Sequence, residues 1–228
     1  MKPDKARSSG KARVFVIDDQ PLLRERVIEV VGAESDLTVC GDAGDPRRAM
    51  EEIAVHAPDL VITGLSFKHS HGLGLVKDLR ARFPRIQVLV FSIYDELLYA
   101  ERAIRSGARG FIEKRATGRE LLAAVRQVLS GEIHLSPRIA ATTVQRFFGR
   151  PSVRPGSPLE QLSDRELEVL ELIGRGRSTR QIAGSLGVDV KTIETYRGRI
   201  KVKLKLTNAA ELTAYAKRAQ EQAYSTGV

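Results

Sequence analysis

Two adjacent carboxylates, Asp18 and Asp19, stand where the apolar run RVFVI gives out. A hydroxyl, Ser92, closes the run IQVLVF, and an ammonium, Lys114, follows RGFIE. Paired carboxylates hold Mg²⁺ through oxygen ligation, and a hydroxyl beside an ammonium binds a phosphoryl group. A third carboxylate beside them would complete the metal site and accept the group. The run DLVIT ends instead at Gly64, which carries no side chain. Thr63 and Ser66 flank it with hydroxyls that nothing nearby in sequence activates. Asp59 opens the same run, at its far end.

A second chemistry lies near the carboxyl terminus. Between Lys191 and Lys205 six basic residues, Lys191, Arg197, Arg199, Lys201, Lys203 and Lys205, stand against Glu194 alone. The run RGRSTRQIAGSLGVDVKTIETYRGRIKVKLKL supplies a short helix, a turn at Gly187 and a long helix, which is how a helix-turn-helix is built. On a period of 3.6 residues Val190, Ile193, Ile200 and Leu204 share one face. Lys191, Glu194, Thr195 and Gly198 fall opposite. A face with glycine at its centre approaches a duplex closely, and Lys191 and Thr195 reach phosphates and base edges.

These residues need a scaffold, and the hydrophobic pattern describes it. After the first dozen residues strands alternate with helices: RVFVI, a helix from Pro21 to Gly32, LTVCG, a helix from Pro46, DLVIT, a helix from Gly72 to Phe83. IQVLVF, a helix from Asp95 to Gly107, RGFIE and a helix from Gly118 to Ser130 complete the series. Strands apolar on both faces and separated by helices predict a five-stranded, doubly wound parallel sheet in the order 2-1-3-4-5. In such a sheet Asp18, Asp19, Gly64, Ser92 and Lys114 converge on one rim at the switch point.

The remaining chain changes character. A helix from Pro137 to about Phe148 precedes GRPSVRPGSP, whose prolines and glycines make a linker. Four closely spaced helices follow, over 164–173, 179–186, 190–204 and 208–220. Ser163 and Glu166 form a capping box for the first, and Leu167, Val169, Leu170 and Ile173 give it an apolar stripe. The expected organisation is a mobile tail over 1–12, an α/β domain over 13–131, a linker with one helix over 132–158, and an all-α domain over 159–228.

Composition narrows the setting. The 228 residues carry 37 basic and 28 acidic side chains, a formal charge of +9, which suits a polyanionic partner. Cys40 is the single cysteine, so no disulfide framework exists and a reducing cytosol is expected. No segment reaches the length of a membrane span, and the basic start MKPDKARSSGKAR has no apolar core of a signal peptide. His69 and His71 in KHSHG are too few for a metal site and read as a solvated loop.

Residues 13–131 resemble a response-regulator receiver through VIDDQPLLRERV, FSIYDE and GARGFIEK. The resemblance implies that Asp18 and Asp19 are metal ligands, Ser92 the phosphoryl-contacting hydroxyl, Lys114 its cationic partner and Phe111 the aromatic that follows the switch. Receivers of this type carry the phosphoacceptor Asp at the position of Gly64, so the expectation is a pseudo-receiver with at best a weak Mg²⁺ site at Asp18 and Asp19. Residues 159–218 resemble a DNA-binding domain of the LuxR/FixJ type. That resemblance makes 190–204 the recognition helix, with Glu194, Thr195 and Gly198 facing bases, Lys191, Thr192 and Lys201 on the backbone of double-stranded DNA, and Arg199 a further DNA-binding residue. Two departures stand out. Tyr196 replaces the usual His, and Lys205 replaces the Gly that commonly ends the helix. By the same analogy Leu212, Tyr215 and Ala216 on the last helix form a homodimer surface. The expected function is a cytoplasmic, non-enzymatic transcription regulator controlled independently of phosphorylation. The alternative is an interaction module whose receiver binds another regulator as protein partner.

Overall fold

The computed structural model describes residues 10–67, 72–137, 139 and 157–225. His69 and His71, the tail over 1–9 and nearly all of the expected helix and linker over 137–156 lie outside the described residues.

Strands β1 (Ala12–Ile17), β2 (Leu37–Ala43), β3 (Leu60–Thr63), β4 (Gln87–Ser92) and β5 (Gly110–Glu113) form a parallel sheet in the order β2-β1-β3-β4-β5. Its strands alternate side chains between two layers, as the two-residue period of a strand requires. Phe15, Ile17, Val61, Val88, Val90 and Phe111 enter one core layer, against helices α2 (Pro46–His56), α3 (Gly72–Arg82) and α4 (Glu96–Ser106). Val14, Val16, Leu60, Ile62, Leu89 and Ile112 enter the other, against α1 (Pro21–Gly32) and α5 (Gly118–Leu129). Burial on both faces is why the strands read as unbroken apolar runs; each fully buried side chain of this size contributes about 1.5–3 kcal/mol.

Register sets the rim. Ile17 pairs with Thr63 and Thr63 with Val90, so Asp18 and Gly64 emerge side by side, and the Gly64 N–H donates to the Ile17 carbonyl at 3.0 Å. Ser92 pairs with Glu113, which brings Lys114 to the same edge.

Beyond the undescribed stretch, a 3-10 turn over Pro158–Gln161 begins where the linker was expected to continue; the Ser157 hydroxyl caps it. Four helices follow: α6 (Asp164–Gly174), α7 (Thr179–Leu186), α8 (Val190–Lys203) and α9 (Ala209–Ser225). The capping box forms as expected, with Ser163 Oγ accepting from the Glu166 N–H and the Glu166 side chain returning to the Ser163 N–H. Leu167, Val169, Leu170 and Ile173 are all buried. Gly187, at φ 64°, supplies the left-handed turn between α7 and α8.

Two expectations need correction. Val190 was placed on the apolar face of α8 but is 45 % exposed, because it opens the first turn, ahead of the core positions Ile193 and Ile200. Leu212 and Ala216, expected on a dimer surface, are 0 % and 2 % exposed and complete the domain's own core. They stand four residues apart, on one helical face, and that face packs on α6 closely enough that a Cβ on Gly174 would meet the Ala216 carbonyl at 2.7 Å. Tyr215 is half-buried.

The end of α8 shows what Lys205 does. The Leu206 N–H donates to the Lys201 carbonyl at 2.8 Å and the Lys205 N–H to the Val202 carbonyl at 3.2 Å, which is a Schellman motif. Lys205 occupies its left-handed position, at φ 55°. The helix ends after Lys203 without the glycine.

Candidate functional site

At the rim of the sheet the Asp18 and Lys114 side chains meet. Lys114 Nζ lies 2.6 Å from Asp18 Oδ2, and the two side chains are 8 % and 6 % exposed. Asp18 Oδ1 accepts from the Gln20 N–H at 2.9 Å. Arg24 adds a second cation, with Nη1 donating to the Asp18 carbonyl and Nε to Asp42 Oδ2, both at 2.7 Å. Asp19 follows at the same edge, half-buried.

Gly64 faces this pair. A Cβ built on it would stand 3.1 Å from Asp18 Oδ2. The neighbouring hydroxyls are engaged: Thr63 Oγ1 donates to the Gly64 carbonyl at 3.0 Å, and Ser66 Oγ accepts from Arg175 at 2.7 Å. Asp59 accepts from the Arg13 N–H at the opposite end of β3. Ser92 is buried, and its Oγ accepts from the Tyr94 N–H at 3.2 Å. Phe111 is fully buried in the core layer that also holds Tyr94 and Tyr99.

Mg²⁺ takes oxygen ligands in near-octahedral geometry and is repelled by a cation already seated among them. Here the Lys114 ammonium occupies the Asp18 oxygen that faces Gly64. Lys114 therefore competes directly with a divalent ion for this oxygen.

On α8 the side chains of Lys191, Glu194, Thr195 and Arg199 are exposed, and those of Thr192 and Lys201 half-exposed. Among the described residues nothing lies within 4 Å of a Cβ built on Gly198, so the middle of the face is open. Thr195 Oγ1 donates back to the Lys191 carbonyl at 3.0 Å, which fixes its rotamer and leaves the oxygen outward as an acceptor. The charge count from sequence overstates the cations on this face. Lys203 turns inward to Glu166 at 2.6 Å, and Arg197 sits 3.8 Å from Glu194. Glu166 shows what the inward pair does: burial pushes its carboxyl up, the Lys203 ammonium and the cap hydrogen bonds reverse this, and it ends below the usual carboxylate value. Cys40, half-buried, donates weakly to the Val14 carbonyl, and burial pushes its thiol up, as suits packing.

Both halves of the chain match known families. The response regulator receiver domain matches residues 14–126, and the luxR family of bacterial regulatory proteins matches residues 160–216. Oxygen regulatory protein NreC of Staphylococcus haemolyticus and that of Staphylococcus carnosus are each 32% identical over 208 residues, covering 90% of this chain and 96% of theirs. The chain belongs to the LuxR family of response regulators. It is a transcription regulator with a receiver and a DNA-binding domain. Among solved structures, the RcsB response regulator of Salmonella typhimurium shares the fold over 92% of this chain and 98% of its own, with a TM-score of 0.73 at 20% identity. The signal receiver domain of NarL from Mycobacterium tuberculosis is 32% identical over 54% of this chain and 99% of its own, with a TM-score of 0.51. Among the described residues no helix of this regulator is long and apolar enough to cross a membrane.

Sequence reasoning missed a third group of residues, which joins the two domains. Tyr94, Tyr99 and Arg102 of the receiver meet Asp164 and Glu171 of α6 and Arg175, which caps its end. The signal was there as spacing. Asp164, Glu171 and Arg175 fall at i, i+7 and i+11, which places three charged residues on one side of a helix whose apolar stripe faces elsewhere.

Proposed function

We propose that this regulator binds double-stranded DNA through α8 in a manner independent of receiver phosphorylation. The observation that carries the reading is the buried Asp18–Lys114 pair beside Gly64. An acyl phosphate forms only on a carboxylate, and in this pocket Asp18 is held by Lys114 while position 64 has no side chain. In a phosphorylatable receiver the modified Asp draws in the hydroxyl and the lysine, and so biases a two-state equilibrium. Here Lys114 already has an anionic partner, and Ser92 already accepts a backbone hydrogen bond. The pocket is thereby held in one state with no donor.

Lys191, Thr192, Arg199 and Lys201 serve the phosphate backbone in this reading, and Glu194, Thr195 and Gly198 face the bases. RcsB of Salmonella has been solved bound to the promoter rprA in the presence of the phosphomimetic BeF3⁻, which supports promoter DNA as the ligand class. Two copies pair on DNA through the exposed side of α9 next to Tyr215, since Leu212 and Ala216 are spent on the domain's core. Intact-mass measurement after incubation with acetyl phosphate and Mg²⁺ tests the receiver half: the mass stays unchanged. A single added phosphoryl group contradicts the reading.

A further inference from the structure

The receiver and the DNA-binding domain are joined by a polar clamp on α4 and α6. Tyr94 and Tyr99 stack with ring centroids 4.6 Å apart, and both hydroxyls donate to the Glu171 carboxylate, Tyr94 at 2.9 Å. Arg175, which caps the end of α6, donates to the Tyr94 hydroxyl at 3.0 Å, to Ser66 Oγ at 2.7 Å and to the Phe67 carbonyl. At the other end Arg102, 7 % exposed, donates to Asp164 Oδ1 at 3.0 Å and to the Leu162 carbonyl at 2.8 Å, and Lys77 of α3 takes Asp164 Oδ2 at 2.9 Å. Burial and the Glu171 charge raise both tyrosines well above their usual range, so they remain donors.

Helical geometry places this clamp away from the DNA face. Successive residues turn by about 100°, so Asp164, Glu171 and Arg175 lie within about 40° of one another around α6. Glu166, which takes Lys203 of α8, and Ile173, which enters the domain's core, point from the opposite side. The recognition helix thus meets α6 at Glu166, away from Glu171 and Arg175, while its far end at Lys203 shares a pocket with Lys77, Arg102 and Asp164. Lys191, Glu194, Thr195 and Arg199 stay exposed with the receiver docked.

We propose that the α4 face is a docking surface for the chain's own DNA-binding domain that leaves the recognition helix open. The docked chain is the DNA-binding form, and Arg175 is the positioning residue that ties docking to the loop after Gly64. Ser66 and Phe67 stand two and three residues beyond Gly64, so a shift of that loop reaches α6 through one guanidinium. The inference rests on the phosphate-independent reading above, because it makes the donor-free docked chain the active one.

The test uses the full chain and two variants. Tyr94→Phe with Tyr99→Phe keeps the stacked rings and removes both hydroxyls, and Arg175→Ala removes the link to the loop. Small-angle scattering reads docking, and titration with a fragment selected from genomic DNA reads affinity. Both variants are expected to expand relative to the parent. The compact parent is expected to bind the fragment, and neither variant to bind it more than about threefold tighter. Scattering unchanged in both variants overturns the clamp. A rise in affinity beyond about threefold on undocking overturns the open docked state, because docking would then mask the DNA face. A parent that binds only after acetyl phosphate refutes the phosphate-independent reading instead, while the scattering and the variants' affinities still decide the docking.

Discussion

Lys114 and Asp18 form a buried ion pair at the rim of the sheet, 2.6 Å from Nζ to Oδ2, directly beside a glycine. Removing one partner leaves the other charge buried and uncompensated, which costs about 3–5 kcal/mol, whereas replacing both is far milder. Lys114→Met alone is therefore expected to destabilise the receiver by that amount, and Asp18→Asn added to it to recover most of the loss. Urea unfolding of the single and double variants measures both. A single-variant loss below about 1 kcal/mol would show that the pair does not hold the pocket.

The open middle of α8 separates folding from binding. A Cβ on Gly198 meets nothing within 4 Å among the described residues, so Gly198→Ala is expected to stabilise the helix by roughly 0.5–1 kcal/mol. The same methyl obstructs close approach to the duplex, and operator affinity is expected to fall about tenfold. Lys191→Ala is expected to weaken all sequences alike and to lower the salt dependence by about one unit of log K per log salt. Thermal unfolding and titration over a salt series check the two.

Lys205 holds a left-handed backbone at φ 55° in the motif that ends α8. A side chain there costs about 1–2 kcal/mol that glycine avoids. Lys205→Gly is expected to stabilise the DNA-binding domain by about 1 kcal/mol, read as a rise in the urea midpoint with unchanged slope.

What the sequence revealed follows from the range of each signal. Asp18, Gly64, Ser92 and Lys114 end their strands, and a parallel sheet brings strand ends together whatever lies between, so the rim was legible before the structure. The capping box at Ser163 and Glu166 is local and was equally plain. Periodicity located the apolar face of α9 but not which side of it looked inward, so Leu212 and Ala216 were given to a partner instead of to α6. The clamp was invisible for a further reason. Its partners are 60 to 109 residues apart, and nothing in a charge on α6 names the tyrosine it meets on α4.

Asp164 gives the clamp an acid limit. Burial lifts its carboxyl, and the hydrogen bonds from Lys77 and Arg102 more than reverse this, leaving it below the usual 3.8. A carboxyl lowered on folding contributes stability that is present above its ordinary pKa and is lost as pH falls through the lowered one. Docking is expected to be constant from neutral pH down to the ordinary carboxylate range and to weaken as pH falls below it, through the lowered value of Asp164. Scattering against pH measures it, and Asp164→Asn, which lacks the titrating group, is expected to be less compact at neutral pH and flatter with acid.

The most direct test of phosphate independence compares the chain with its Gly64→Asp variant in an operator titration, each with and without acetyl phosphate and Mg²⁺. The new Cβ stands 3.1 Å from Asp18 Oδ2, so Asp18 must yield a few tenths of an ångström, and the added carboxylate supplies both the missing acceptor and a further ligand for Mg²⁺. The parent is expected to bind the operator with the same affinity under both conditions, and the variant to gain a phosphoryl group and a donor-dependent affinity. A parent that binds its operator only after treatment with the donor would contradict the account.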